Sequence, residues 1–358
     1  MEKAETLEKK LKYSAFILRG QPFHNAHKQI IENALQESHK VIVLIGSYRS
    51  SITIKNPWNY EVRSDFIRGS FSIKDMSRII ICPIRDYLYS KHTWITSVQN
   101  TIASQIDSDD VTLYGHFKDD SSYYLNMFPQ WKLKTQPEFK YERESDKTTF
   151  IYDGTLIRDL MFEQDKSWKL FVPEHVAFVL EQYMLTEEFR ILQKEYEYIR
   201  KYKSSWQKAP YPPTFVTTDA VVVQSGHILL VKRKTEPGKG YFALPGGFLN
   251  QKETIEQCTI RELKEETKID VPSVVLGNCI KETHVFDHPL RSLRGRTITH
   301  ASLIELDPMK SLPKVKGDDD AEKAFWMPFN ELVLHEEKFF DDHIHIIGYF
   351  LNGKLYNR

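Results

Sequence analysis

The chain has 358 residues, of which 41% are hydrophobic and 27% charged, so it is long enough and apolar enough for two globular domains with separate cores. Lysine plus arginine and aspartate plus glutamate each number 49, and this balance gives no reason to expect nucleic acid or a membrane as a partner. The scattered Cys82, Cys258 and Cys279 predict no disulfide framework and fit a cytoplasmic protein, as do the charged first residues and the lack of any apolar run of about 18 residues.

The first half alternates apolar runs with helical patterns. Buried strands are predicted at residues 13–19, 40–46, 78–84, 111–115 and 149–152. A helix is predicted after the first strand, and residues 115–147 are expected to form a surface connection with a short helix at 122–127. Alternating strands and helices predict an α/β domain with a parallel sheet. Ligands of such sheets bind beyond the strand ends where the strand order reverses, so the loop after the first strand is the expected site.

Two histidines stand where that strand meets its helix. His24 and His27 are three residues apart, which puts them on one helix face near the positive end of the helix dipole, where phosphates bind well. The spacing is common in proteins, so by itself it does not distinguish a phosphate site from two unrelated histidines.

Residues 19–27 (RGQPFHNAH) resemble the nucleotidylyltransferase signature GRFQPFHxGH, with Leu18, Gly20 and Ala26 as departures. Residues 153–158 (DGTLIR) are similar to the second element of that superfamily, SxTxxR, with Asp153 in place of Ser. The resemblance implies a Rossmann-like domain with three catalytic residues, His24, His27 and Arg158. It also implies a set of ATP-binding residues: Arg19, Gln21, Pro22, His24, His27, Thr155 and Arg158.

Residues 54–63 (IKNPWNYEVR) are similar to the NPFTAGER segment of archaeal-type nicotinamide mononucleotide (NMN) adenylyltransferases. Asp86 and Trp94 resemble the Asp and Trp that lie near the nicotinamide ring in that family. The resemblance implies NMN binding by Asn56, Trp58, Arg63, Asp86 and Trp94, although core packing remains an alternative for Trp94. The implied reaction is adenylyl transfer from ATP to NMN with Mg²⁺ and without a covalent protein nucleophile; a different phosphorylated or alcohol substrate is the alternative.

The middle of the chain has no glycine or proline from 174 to 199 and is predicted to be one helix from 173 to 199. Residues 201–213 (KYKSSWQKAPYPP) have the composition of a linker. The predicted organisation is therefore a first domain at 1–185, a helical spacer and linker at 186–213, and a second domain at 214–358.

The second half begins with two strands, 214–223 and 227–233, joined by a hairpin turn at 224–226. Further strands are predicted at 274–283, 296–306 and 323–327. Between them lies a helical segment on which Glu262, Glu265 and Glu266 share one face. Three carboxylates on one face repel each other unless a cation lies among them, and oxygen ligands suit Mg²⁺ or Mn²⁺.

Residues 247–269 resemble the Nudix box, GX5EX7REUXEEXGU, in which U is apolar. The departure is Lys268, which replaces the Gly that serves a tight turn after the helix in this family. The resemblance implies a Nudix α/β/α sandwich that binds its metal through Glu262, Glu265 and Glu266 and activates a water. A further metal carboxylate is expected beyond the box, and its candidates are Asp318, Asp319, Asp320 and Glu322.

Residues 286–296 (FDHPLRSLRGR) resemble a segment of ADP-ribose-handling Nudix proteins. ADP-ribose binding is assigned to Gly247, Arg291, Arg294 and Arg296, with plain surface charge as the alternative for the arginines.

As a whole, the chain is similar to bifunctional bacterial NMN adenylyltransferase/Nudix hydrolases. The expected substrates are ATP, NMN and ADP-ribose, and the alternative for the second half is a Nudix domain that senses a ligand without cleaving it. A homo-oligomer is compatible with the sequence.

Overall fold

The computed structural model describes residues 12–106, 108, 110–116, 120–142 and 149–351. The chain divides into two compact units, the first ending at Arg190 and the second beginning at Ile191. Residues 191–213, which the sequence assigns to a spacer and linker, therefore belong to the second unit. Within the described ranges, no helix combines the length and apolarity needed to cross a membrane.

The first unit is built on a parallel sheet of five strands. The strands of this unit are β1 (Tyr13–Leu18), β2 (Lys40–Ile45), β3 (Ile79–Pro83), β4 (Val111–Gly115), β5 (Lys132–Thr135), β6 (Lys140–Glu142) and β7 (Thr149–Ile151). The sheet order is β3-β2-β1-β4-β5, so the order reverses at β1. The parallel sheet is confirmed, and the loop after β1 lies at the reversal.

Two strand predictions for this unit need correction. The strand predicted at 149–152 is β7, but it pairs antiparallel with β6 in a separate two-stranded sheet. The fifth parallel strand is β5, which lies in the stretch predicted to be a surface connection. Most side chains of β5 (KLKT) are exposed, so this edge strand lacks the apolar run that identifies a buried strand.

Helices cover the sheet of the first unit and supply its core. They are α1 (Asn25–Glu37), α2 (Tyr60–Arg68), α3 (Ile73–Met76), α4 (Lys91–Ala103), α5 (Gly154–Phe162) and α6 (Glu174–Tyr183), with 3-10 helices at Asp120–Met127 and Lys166–Phe171. The next helix, α7 (Glu187–Ser205), begins in this unit, but most of its residues belong to the second unit. Val98 and Ile102 of α4 are buried against Ala15, Ile42 and Leu113 of the strands. This apolar layer fixes the strand ends from which the functional loops emerge.

The helix predicted at 173–199 is in fact two helices, because the chain breaks between α6 and α7. The Oγ1 atom of Thr186 accepts a hydrogen bond from the Phe189 backbone N–H at 3.2 Å, as the residue before a helix commonly does. Glu187 and Glu188 then occupy the first turn of α7, where negative charge favours a helix start.

The second unit is a mixed sheet with a helix against it. Its strands are β8 (Thr214–Gln224), β9 (His227–Arg233), β10 (Phe242–Ala243), β11 (Gly246–Phe248), β12 (Ile280–Phe286), β13 (Arg296–Glu305) and β14 (Ala321–Pro328). The order β10-β9-β8-β13-β12 has β8 parallel to β13, while β11 pairs with β8 and β14 with β9. Ser225 and Gly226 have φ of 47° and 75°, which confirms the predicted hairpin turn between β8 and β9.

The helices of the second unit are α8 (Ile255–Thr267), α9 (Ser273–Asn278), α10 (Phe329–Leu332) and α11 (His343–Phe350), with a 3-10 helix at Val333–Lys338. The strand predicted at 274–283 is correct only from Ile280, because the residues before it form α9. Thr254 begins α8 with a reciprocal capping box with Gln257. Leu263 is fully buried against the sheet, so the carboxylates on the other side of α8 face away from this core.

Candidate active sites

The first candidate site lies between β1 and α1. His24 immediately precedes α1 and is 6% exposed, and His27 stands in the first turn of that helix. Their imidazole rings stack with centroids 3.5 Å apart and planes 18° apart. The structure therefore brings together the two histidines that the sequence singles out.

His27 is neutral at neutral pH. Burial, and after it repulsion by His24, holds the pKa of His27 well below its usual range. Its Nδ1 accepts a hydrogen bond from the His24 backbone N–H at 3.3 Å, so the proton of the neutral ring lies on Nε2. His27 thus offers an N–H donor to a ligand oxygen.

Arg158 of α5 contacts the loop between β1 and α1. Its partner there is Gln21, which is 137 residues away in the sequence. Its Nη1 donates to the Gln21 carbonyl, and its Nη2 donates to Thr155 Oγ1 at 3.2 Å. Gly154 permits this approach, because a Cβ there would lie 2.8 Å from the Gln21 carbonyl oxygen. Desolvation lowers the pKa of Arg158 to about 10, which leaves the guanidinium charged at neutral pH.

A second arginine joins the ends of β1 and β2. Arg63 is 1% exposed and donates to the backbone carbonyls of Arg19 at 2.8 Å, Gly46 at 2.6 Å and Ser47 at 3.1 Å. Burial lowers the pKa of Arg63 to about 10. The exposed Arg19 lies close enough to lower the pKa of both Arg63 and Arg158, so positive charge converges on this loop.

Trp58 supports the same loop from behind. Gln21 Nε2 donates to the Trp58 carbonyl at 2.9 Å, and the Trp58 N–H donates to Gln21 Oε1 at 3.2 Å. Trp58 is 3% exposed and packs edge-on against Phe66 and Tyr183. Near it, the buried Oδ1 of Asn56 has no hydrogen-bond partner within the described residues, which leaves an acceptor for a ligand.

Asp86 lies in the loop after β3, and Trp94 lies in α4. Asp86 accepts hydrogen bonds from the Ser47 N–H at 3.2 Å and the Ser47 hydroxyl at 2.6 Å, which ties the end of β2 to the end of β3. Trp94 is partly buried, with its ring edge-on to Tyr124 at 5.7 Å. Core packing therefore covers part of the indole, and the rest is accessible.

The second candidate site surrounds Arg261 of α8. Its Nε and Nη2 donate to the two carboxylate oxygens of Glu253 at 2.9 and 2.7 Å, and its Nη1 donates to Glu262 at 2.7 Å and Glu265 at 2.9 Å. These hydrogen bonds to Arg261 lower the pKa of Glu253 to about 2. One arginine thus organises Glu253 and two of the predicted carboxylates, Glu262 and Glu265.

Two glycines of β11 contact Glu266, the remaining predicted carboxylate, and Glu262. The Gly246 N–H donates to Glu266 Oε2 at 3.1 Å, and a Cβ on Gly247 would lie 2.6 Å from the Glu262 carboxylate. The pKa of Glu266 is raised to about 8, mainly by burial and in part by repulsion from the charge of Glu262. Burial also raises the pKa of Glu262, with Glu265 and Asp319 adding repulsion.

The fit of this site to a metal ion can be judged from these contacts. No group of three or more His, Cys, Asp or Glu side chains in the described ranges is close enough to hold a metal as it stands. Arg261 instead engages Glu262 and Glu265. Glu265 nonetheless raises the pKa of Glu262, and Glu262 raises that of Glu266. A divalent cation would reverse these effects, and Gly247 leaves Glu262 in a recess that a side chain would fill. The donor set therefore fits a hard divalent ion once Arg261 releases its partners.

The structure separates the four candidates for the additional carboxylate. Asp318 pairs with Lys268 at 3.2 Å, and Glu322 pairs with Lys232 at 3.1 Å. Asp319 and Asp320 are the ones whose charges act on the site, because Asp319 raises the pKa of Glu262 and Asp320 raises that of Glu266. These two are the better candidates.

The three predicted arginines of the 286–296 segment have different surroundings. Arg291 is 6% exposed and forms a bidentate pair with Asp342 at 3.0 and 2.9 Å. Arg296 pairs with Asp287, through its backbone carbonyl and its carboxylate. The Arg294 guanidinium lies 5.1 Å from the centre of the Phe248 ring, and its buried Nε has no hydrogen-bond partner in the part of the chain that the structure describes. Arg294 is therefore the arginine best placed for a ligand.

Known proteins match each half of the chain and the whole of it. Residues 21–112 match the cytidylyltransferase-like family and residues 213–347 the NUDIX domain family. The nicotinamide/nicotinic acid mononucleotide adenylyltransferase of Acinetobacter baylyi is 36% identical over 192 residues, which are 52% of this chain and 94% of that protein. The ADP-ribose pyrophosphatase of Methanocaldococcus jannaschii is 36% identical over 134 residues, 36% of this chain and 72% of that protein.

A crystal structure of the bifunctional NMN adenylyltransferase/ADP ribose pyrophosphatase from Francisella tularensis, complexed with AMP and a Mn ion, matches with a TM-score of 0.88. The match has 34% sequence identity and covers 96% of this chain and 99% of that one. The chain belongs to this bifunctional family. The predicted fold class, a Rossmann-like nucleotidylyltransferase domain followed by a Nudix domain, is thereby confirmed.

The second site of this bifunctional protein contains residues that the sequence did not reveal. Asp219 is 5% exposed in β8, where it accepts a hydrogen bond from Thr299 Oγ1 at 2.6 Å. The Arg233 guanidinium lies 4.1 Å from the centre of the Phe340 ring. An aspartate within the apolar run of β8 is a signal that could have been read. Arg233 and Phe340 carry no such signal, because they meet only in the folded chain.

Lys268, the departure from the Nudix box, keeps the turn that the family glycine serves. It ends α8 in the left-handed conformation with φ of 45°. We expect Lys268→Gly to be more stable than Lys268→Ala by about 1 kcal/mol, because both lose the exposed pair with Asp318 and only glycine relieves the strained backbone. Thermal unfolding should show the glycine variant melting roughly 2–4 °C higher. Equal melting temperatures would contradict this account of the turn.

Proposed function

We propose that the first unit transfers the adenylyl group of ATP to NMN, giving NAD and pyrophosphate. The observation that carries this proposal is the meeting of Arg158 with the Gln21 carbonyl beside the stacked His24 and His27. Two motifs, whose residues Gln21 and Arg158 are 137 positions apart, thus meet in one cationic site rich in hydrogen-bond donors. This site lies after β1, where the strand order of the sheet reverses. Membership of the bifunctional family supports the same reaction.

In this proposal a phosphate oxygen of NMN attacks the α-phosphorus of ATP, and the bond from that phosphorus to the pyrophosphate oxygen breaks. His24 and His27 donate hydrogen bonds to the phosphate oxygens, where negative charge accumulates in the transition state. Arg158 and Arg19 hold the β- and γ-phosphates. A divalent cation, when bound with ATP, neutralises phosphate charge. The protein contributes position and charge, without a covalent intermediate.

For NMN we propose contacts from Asn56, Asp86 and Trp94. The free Oδ1 of Asn56 and the accessible part of the Trp94 ring support this assignment. Trp58 and Arg63 were also predicted to bind NMN, but both are almost fully buried. We therefore assign them to positioning the loop that carries Gln21.

The substrate is tested by offering the purified protein ATP with NMN, nicotinate mononucleotide or FMN in parallel reactions. We expect rapid pyrophosphate release with NMN and none with FMN. Turnover of FMN alone would replace the proposed activity, and the ratio of the two pyridine mononucleotides gives the preference between them.

We also propose that the second unit hydrolyses ADP-ribose to AMP and ribose 5-phosphate with Mg²⁺ or Mn²⁺. Glu262, Glu265 and Glu266 would hold the metal. Repulsion from Glu265, which raises the pKa of Glu262, and from Glu262, which raises that of Glu266, supports this role. The bound ion would activate a water and neutralise diphosphate charge. Arg261, which now pairs with Glu262 and Glu265, would remain bound to Glu253 and keep α8 in place.

The diphosphate of ADP-ribose would bind near Gly247 and Arg294. The unsatisfied Nε of Arg294 supports this assignment, and its position over Phe248 keeps the guanidinium beside the Nudix box. The sequence resemblance assigns Arg291 and Arg296 to ADP-ribose binding together with Arg294. Their pairing with Asp342 and Asp287 favours structural roles for both.

Arg294→Ala and Arg291→Ala should therefore fail in different ways. Loss of Arg294 should raise the KM for ADP-ribose about tenfold with little change in melting temperature, because a ligand contact is removed. Loss of Arg291 should destabilise the second unit by about 3 kcal/mol, because the carboxylate of Asp342, 1% exposed, would lose its bidentate cationic partner. Steady-state kinetics and thermal unfolding measure the two effects. Identical behaviour of the two variants would contradict the distinction.

The hydrolysis itself is tested by following AMP release from ADP-ribose with and without Mg²⁺. We expect release only with the metal. Binding of ADP-ribose without any metal-dependent cleavage would show a sensing domain in place of a hydrolase.

We propose a cytoplasmic location for both reactions, with ATP, NMN and ADP-ribose as small-molecule partners. Cys82, Cys258 and Cys279 are free thiols, which a reducing compartment maintains.

A further inference from the structure

A buried carboxylate on α7 has no part in the two sites described so far. Glu195 is 4% exposed, whereas Lys194 and Glu197 beside it on the same helix are exposed. Charged side chains are seldom buried to this extent without a specific role. The segment that contains Glu195 lies outside the matched NUDIX residues 213–347, yet it belongs to the second compact unit.

Glu195 contacts the loop that follows β9. The Gly238 backbone N–H lies close enough to the Glu195 carboxylate to act as a donor and to lower its pKa. Three charged groups act on it: Glu236 of the same loop and Asp341 before α11 repel it, and Arg233 at the end of β9 attracts it. Burial is the main influence and raises the pKa of Glu195 to about 7.

This loop forms one side of the second site. Gly238 has φ of 74° and presses against Phe340, where a Cβ would lie 2.3 Å from the ring. Arg233 donates from Nε to the Pro237 carbonyl at 2.9 Å and lies over the same ring at 4.1 Å. The Arg294 guanidinium is 5.9 Å from that ring's centre. A movement of Gly238 would therefore displace Phe340 and the two arginines that pack on it.

The charge of Arg233 also reaches the carboxylate helix. The Arg233 guanidinium and the Glu266 carboxylate lie close enough for their opposite charges to attract each other. The loop therefore positions Arg294, which is assigned to the diphosphate, and the positive charge of Arg233 beside Glu266 of α8.

The same stretch of chain supports the other side of the site. Tyr202 of α7 and Trp206 just after it pack on Phe215, with ring centres 5.9 and 5.4 Å away. Phe215 packs edge-on against Phe248 at 5.8 Å, and Arg294 lies over Phe248. Two separate sets of contacts therefore run from this segment to Arg294.

We propose that Glu195 is a positioning residue of the hydrolase site, which holds the loop at 234–241 so that Arg233, Phe340 and Arg294 are aligned for the diphosphate of ADP-ribose. The inference rests on the proposed hydrolysis of ADP-ribose. It assigns a part of the site to a segment that the sequence presents as a spacer.

The test uses three variants of the full-length protein: Glu195→Ala, Glu195→Gln and, as the matched control on the same helix, Glu197→Gln. We expect Glu195→Ala to raise the KM for ADP-ribose about tenfold and to change kcat less than about threefold, because substrate alignment is lost and the metal carboxylates remain. Glu195→Gln should recover most of this loss, since its amide oxygen still accepts the Gly238 N–H. Glu197→Gln and the rate of NAD synthesis should be unchanged.

Hydrogen exchange supplies a second readout that a general loss of stability would not reproduce. Amides at 234–241 should exchange about tenfold faster in Glu195→Ala, with the peptide that covers α8 unchanged. If the alanine variant does not fold, the glutamine variant is measured by the same two methods and should show smaller shifts in the same directions. An unchanged KM, or a parallel loss of kcat and of exchange protection throughout the second unit, would overturn the proposal.

The proposed function is judged separately, on the unaltered protein. If it releases no AMP from ADP-ribose, that function fails, and the role of Glu195 is then measured by calorimetry with AMP in the presence of Mn²⁺. About tenfold weaker binding in Glu195→Ala would support positioning. Equal affinity, or no binding of AMP by the unaltered protein, would overturn it.

Discussion

His27→Ala should reduce NAD synthesis by about a hundredfold or more and leave ADP-ribose hydrolysis intact. The neutral ring of His27 carries its proton on Nε2, and in the proposed reaction this donor would stabilise the phosphate charge that develops in the transition state. Its loss also removes the ring that stacks on His24 at 3.5 Å, so both predicted phosphate contacts are weakened together. The measurement is pyrophosphate release from ATP with NMN, next to AMP release from ADP-ribose in the same preparation.

Gln29→Ala provides the control for this prediction. Gln29 is exposed on the same helix, and its side chain donates a hydrogen bond to Asn33 Oδ1 at 3.1 Å. It should retain full activity in both assays. A parallel fall of both activities in His27→Ala would indicate a general defect and would argue against a phosphate-binding role for the imidazole.

The elements that the sequence predicts correctly are those marked by a few neighbouring residues, such as an apolar run or a turn signal. The apolar run of β1 and the positive-φ turn at Ser225 and Gly226 appear where the sequence predicts them. β5 was missed because an edge strand of alternating lysines buries little and so has no apolar run. The break before α7 was missed because apolar spacing continues through it, although Thr186 followed by two glutamates is a start signal.

The same distinction holds for the sites. The residues within one motif, such as His24 with His27 or Arg261 with Glu262 and Glu265, do come together. Roles that depend on long-range partners could not be predicted. Arg291 was grouped with Arg294 because both lie in one basic segment, but Arg291 is bound to a residue 51 positions later. Only the folded chain shows this pairing.

Glu266→Gln should abolish the hydrolysis of ADP-ribose and leave NAD synthesis unchanged. The amide oxygen of glutamine can still accept the hydrogen bond from the Gly246 N–H, now 3.1 Å long, so the loop is kept and only the charge is lost. A metal held by carboxylates depends on that charge, and we expect hydrolysis to fall by at least a hundredfold. Glu256→Gln, the same change at an exposed position on the first turn of α8, should be fully active.

The same variant should change how stability depends on pH when metal is absent. Burial raises the folded-state pKa of Glu266 from its usual 4.5 to about 8, so its protonated form favours the fold. That contribution is complete below pH 4.5 and is lost as the pH rises through about 8. In EDTA, the melting temperature of Glu266→Gln should therefore exceed that of the unaltered protein by a margin that grows from pH 5 to pH 8. Mg²⁺ should stabilise the unaltered protein at pH 8 and have little effect on the variant, because the ion binds the ionised carboxylate. A margin that does not grow with pH would contradict the raised pKa of Glu266. Equal stabilisation of both proteins by Mg²⁺ would contradict its role as a metal ligand.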